Sequence, residues 1–161
     1  MTEPKGTPQL RAMLLASKPA DFGLVPTTEL PHVWAALMEM NVKNTLVTLV
    51  AVADGATSLY FGTGGGIIGG HKFEPVRDAN HKLLLGVEKF LVAKAFVARD
   101  VPLETTPGAV SFATLTYDGL AVARDTEERL KAKRSPVWPL YYLGQQVITQ
   151  LRTSVESMGT G

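Results

Sequence analysis

The chain has 161 residues, 45% of them apolar, with 16 Lys and Arg against 15 Asp and Glu and no Cys. One domain of this size buries a core of its own, so a wholly disordered chain is excluded, and the missing Cys excludes disulfide scaffolds, thiol nucleophiles and thiolate metal sites. A net charge of +1 gives no overall field for holding nucleic acid or an anionic membrane.

Taken from the start, residues 1–9 are polar and broken by Pro and Gly, and 157–161 end in Gly-Thr-Gly, so both read as tails around a single domain. The first apolar cluster, 13–16, falls short of a signal peptide's apolar region. The longest nearly apolar run, 47–53, falls short of the roughly 20 residues that cross a bilayer. A cytoplasmic protein with no membrane partner is the expectation. Leu10, Met13 and Leu14 suggest a short helical piece, followed by a broken connection over 18–27. Leu30, Val33, Trp34, Leu37 and Met40 then recur at three- and four-residue spacing, which predicts a helix ending near Asn41.

Residues 45–53 are β-branched and apolar at both parities, a strand covered on both faces. Asp54-Gly55 predicts a type I′ hairpin turn into a strand over 57–62. The pattern repeats as a strand over 109–117, Asp118-Gly119, and a strand over 120–124. Between the hairpins, a helix over 75–98 carries Val76, Ala79, Leu83, Val87 and Phe90 on one stripe. A last helix after Ser135 and Pro136 carries Leu140, Leu143, Val147, Leu151 and Val155. Its glycine, Gly144, and Gly86 in the earlier helix each favour close packing or are merely tolerated. The fold class is α/β of the α+β kind: an antiparallel sheet of four or five strands from two Asp-Gly hairpins, flanked by three main helices.

The segment 62–70 holds six glycines. Gly64, Gly66 and Gly69 satisfy G-x-G-x-x-G, but the preceding strand is a hairpin arm, the helix starts late and no acidic residue follows on a next strand, so a dinucleotide site is rejected. No Gly-Lys-Ser/Thr ends the run, which removes the P-loop. Three readings remain: a kink, bulge or tight passage of the chain, mere flexibility, or a loop of Gly64, Gly65, Gly66, Gly69, Gly70, His71 and Lys72 that binds a small molecule, phosphate or nucleotide. His71, Glu74, Asp78 and His81 have helical metal-ligand spacing, but Pro75 starts the helix and leaves His71 outside it, so no metal and no other cofactor is assigned. No Cys, G-x-S-x-G elbow or separable carboxylate pair supports catalysis, and an enzyme is not favoured. Arg129, Lys131, Lys133 and Arg134 form a basic cluster without the aromatic interleaving of a nucleic-acid groove. Trp138, Tyr141 and Tyr142 beside it are either core or a protein-contact surface.

The helix through 34–40, the strand 46–53, Asp54-Gly55 and the strand 59–61 follow one another in an order that resembles the roadblock and longin group of small regulatory domains. The resemblance runs over 28–155 by order of elements; the glycine run departs from it, as does a count of four clear strands where the group has five, and the resemblance implies a fifth strand in 100–106 or 123–131. It implies a homodimer acting through protein contacts, with a partner such as a small GTPase and no catalytic residues. Open sheet edges, which pair with other chains unless covered, point to self-association as well.

Overall fold

The computed structural model describes residues 12–94, 96–98 and 106–159. They form one antiparallel sheet with two long helices on one face, an α+β arrangement. The strands are β1 Val33–Val42, β2 Thr45–Val52, β3 Thr57–Phe61, β4 Gly66–Ile67, β5 Val97–Ala98, β6 Ala109–Thr116 and β7 Gly119–Thr126, in the order β4-β3-β2-β1-β6-β7-β5. After a short helical piece over 12–15, the helices are α1 Glu74–Val92, a short α2 Glu127–Lys131, and α3 Trp138–Gly159.

The helix expected over 30–41 is instead β1, the middle strand of the sheet. Eight consecutive residues from Val33 to Met40 are buried, because both faces of this strand are covered. A strand covered on both faces is apolar at nearly every position, the buried Glu39 being the exception here, so it contains a three-and-four spacing by chance as readily as a helix does. A register shift between Val33 and Ala35 adds to the deception. It sends Val33 to the helix side and both Trp34 and Ala35 to the other side. β1 returns as β2 through Lys43 and Asn44, which both take positive φ, 51° and 65°, as a two-residue type I′ turn requires.

Both Asp-Gly hairpins form. In each, however, only the glycine has positive φ, 99° at Gly55 and 129° at Gly119. The geometry expected there therefore belongs to the Lys43-Asn44 turn. The fifth long strand is β1 rather than part of 100–106 or 123–131: Ala123 to Thr126 continue β7, 127–131 are helix α2, and 99–105 lie outside the described residues. Helix α1 stops at Val92, before the expected 98. Among the described residues there are two main helices rather than three, and the segment 34–40 in the roadblock-like order is a strand. Ser157 to Gly159, expected as tail, close helix α3, while 1–9 are outside the described residues.

The larger core lies between the sheet and helices α1 and α3, with Met38, Leu49, Leu59 and Phe112 meeting Leu84, Val87, Leu140 and Leu151. A second cluster covers the opposite face, where Leu14, Phe22 and Leu24 pack on Trp34, Leu37, Val52 and Leu115. The Trp34 indole N–H donates to the Thr116 carbonyl at 3.2 Å. Both interior glycines mark close approaches: a Cβ on Gly86 would meet Leu143 Cδ1 at 2.6 Å, and one on Gly144 would meet Met38 Sδ at 2.6 Å. Helix α3 thus rests directly on β1. The double variant Lys43→Asn with Asn44→Gly matches the φ requirement of this turn and should stabilise the chain by about 1 kcal/mol in urea unfolding; a loss of stability would contradict the turn.

Candidate functional site

The glycine run is a tight hairpin followed by a helix entry. Strand β4 leaves no room above Gly66, where a Cβ would collide with the Leu59 carbonyl oxygen. Gly70 is equally enclosed, with Leu151 Cδ2 at 2.6 Å, Thr57 O at 2.9 Å and Val76 Cγ1 at 3.0 Å from the place of a Cβ. Gly64, Gly65 and Gly69 have φ of 104°, 80° and 78°. Five of the six glycines therefore answer a steric or conformational demand of the backbone. The remaining loop groups are turned to the same end. The Arg77 guanidinium donates to the His71 carbonyl at 2.7 Å, the Lys72 amide donates to the Gly69 carbonyl at 3.2 Å, and Glu74 and Pro75 open helix α1. An acidic first turn repels an anion from that helix end.

Two buried polar residues of α1 tie the helix to the sheet. Asn80 Nδ2 donates to Thr57 Oγ1 at 2.7 Å and lies 3.2 Å and 3.3 Å from the Ala56 and Val52 carbonyls, clasping the loop between β2 and β3. Two turns on, the Glu88 carboxylate accepts from the His32 amide at 2.7 Å, the Val33 amide at 3.1 Å and His32 Nδ1 at 2.9 Å. His32 precedes β1 with its ring half exposed. Neither Asn80 nor Glu88 is legible as a clasp from sequence, where both lie on a helix rich in charge.

His81 pairs with Glu29 at 2.7 Å beside an open cleft of about 430 Å³ lined by Leu24, Thr27, Glu29, Leu30, His81 and Tyr117 among others. Burial pushes the Tyr117 hydroxyl above its usual pKa. A second groove of about 350 Å³ runs between α1 and α3, from Pro75 and Asp78 to Gln146 and Gln150. Asp78 and His81 thus border different recesses, and among the described residues no three His, Asp or Glu come together as metal ligands.

The basic cluster and the aromatic trio share one corner. Arg129 reaches Asp125 at 2.8 Å, Lys131 reaches Glu127 at 3.4 Å and Arg134 reaches Glu128 at 3.6 Å. Most of the positive charge is therefore met by carboxylates of the same segment, which leaves little for a phosphate backbone. Burial opposes ionisation of Asp125. Hydrogen bonds from Ser135, the Thr126 amide and Arg129, with the charge of Arg129, outweigh it and hold the carboxyl below its ordinary pKa. Tyr141 is buried and its hydroxyl donates to Glu127 at 3.0 Å. Burial first, and then Glu127, push its pKa far above the ordinary tyrosine value. Trp138 is half-buried against the larger core and Tyr142 is 42% exposed, their rings edge to face with centroids 5.5 Å apart.

No family model, curated protein or solved structure matches the chain.

Glu88→Ala removes the acceptor of two backbone amides and should cost about 2–4 kcal/mol in urea unfolding, with Glu88→Gln losing less; an unchanged midpoint in both would contradict the clasp. For Asp125 the folded pKa is lowered, so its stabilisation is full above the unfolded pKa and is lost as pH falls through the folded one. Asp125→Asn should therefore narrow its stability gap to the parent as pH falls below about 4. A gap that is constant with pH would show that the charge contributes nothing.

Proposed function

We propose that the chain is a non-catalytic protein-contact module, and that its contact surface lies on the helix layer around the Trp138–Tyr142 corner. The observation that carries this reading is the exposed Tyr142 ring, edge to face with the half-buried Trp138 at the start of α3, while the neighbouring Tyr141 is turned inward. Tyr and Trp offer large contact area with few rotatable bonds, which is why they concentrate where surfaces become buried. Leu85 and Val92 on α1 and Val155 on α3 add exposed apolar side chains to the same layer, at 37%, 63% and 39% exposure.

The first partner proposed is a second copy of the chain. The edge strand β4 is two residues long, and short edge strands are a standard guard against edge-to-edge pairing. Self-association at that edge therefore gives way to the helices. Sedimentation equilibrium should show mass rising from 17.3 kDa toward twice that value with concentration. Tyr142→Ala should weaken the association by about tenfold. A chain that keeps its monomer mass at every concentration would overturn the self-association, and an unaffected dimer in Tyr142→Ala would remove this corner from the interface.

A further inference from the structure

Lys133 behaves differently from its basic neighbours. Arg129, Lys131 and Arg134 each meet a carboxylate, whereas Lys133 pairs with none among the described residues. Its ammonium lies 4.8 Å from the centroid of the Trp138 ring and 5.7 Å from that of Tyr142. The two ring planes stand at 88° to each other, so they form two walls of a corner with the cation placed against both. Ring faces attract cations through their quadrupole, and the attraction is strongest for Trp and grows as water is excluded.

Nothing else accounts for the position of that ammonium. It sits at the N-terminal end of α3, where the helix dipole disfavours positive charge. The Lys133 backbone has φ of 58°, directly after the C-cap of α2, a position that glycine fills most easily. Neither the dipole nor the backbone calls for a lysine there. The ring faces do.

We propose that the Trp138–Tyr142 corner is a recognition site for an alkylammonium group, a lysine side chain presented by a protein partner, and that Lys133 occupies it in the isolated chain. The protein source of the lysine rests on the contact-module reading; the affinity of the corner for the cation does not. Lys133 is then a built-in competitor that the partner's lysine displaces, and removing it strengthens binding.

The test is a titration of the isotopically labelled chain with Nα-acetyl-lysine methylamide, followed by NMR at the indole N–H groups. Trp34 serves as the internal reference, since it is 2% exposed and its indole is bonded to Thr116. The Trp138 signal should shift saturably and the Trp34 signal should stay in place. Lys133→Gly, which suits the backbone, should tighten binding by about threefold or more, and Tyr142→Ala should weaken it by a similar factor. The neutral analogue Nα-acetyl-norleucine methylamide should bind more weakly than the lysine probe. No saturable shift of Trp138 in either the parent or Lys133→Gly overturns the proposal, as does equal binding of the neutral analogue. A monomer that binds the probe separates this site from the self-association reading, which alone would then fail.

Discussion

Strand β1 lies between β2 and β6 with both of its faces covered, and this double burial governs the placement of the remaining chain. Its helix side receives Met38 and Met40 into the larger core, and its other side receives Trp34 and Leu37 into the cluster closed by Leu14 and Phe22. Because β1 pairs on both edges, the two halves of the sequence meet along it: β2 and β3 extend outward on one side, β6 and β7 on the other. β1 itself has no open edge.

The helices take their positions from a few contacts with this sheet. Helix α1 is clasped by Asn80 to the loop after β2 and by Glu88 to the start of β1, so hydrogen bonds fix its length against the sheet near both ends. Helix α3 approaches through Gly144 over Met38 and meets α1 at Gly86. Buried polar groups of this kind are costly unless satisfied, and here each gains specific partners whose geometry admits one arrangement of helix on sheet. With those side chains and the enclosed glycines committed to holding the fold, Tyr142 stays 42% exposed at the aromatic corner beside Lys133.

Much of this architecture is legible in the sequence wherever a local signal and the final environment agree. The β-branched run of β2, the two Asp-Gly turns and the apolar stripes of α1 and α3 all appear where their residues indicate. β1 is misleading because the covers on its two faces come from residues distant in sequence, and without them Val33 to Met40 has no period to read. The Lys43-Asn44 turn is hidden because lysine seldom takes positive φ, so the residue gives no warning. Glu88 and Asn80 look like members of a solvated helix face until the partners from 32–33 and 52–57 are placed beside them. Lys133 is likewise one letter in a charge run, and its distinction from Arg129, Lys131 and Arg134 exists only in three dimensions.

Amide hydrogen exchange tests the role of β1 most directly. A central, doubly buried strand opens only with the whole domain, so the amides of Ala36 to Met40 should be among the slowest in the protein and share the free energy of global unfolding. Exchange of these amides that is faster than in β2 and β6, as for an edge strand or a surface helix, would contradict the account.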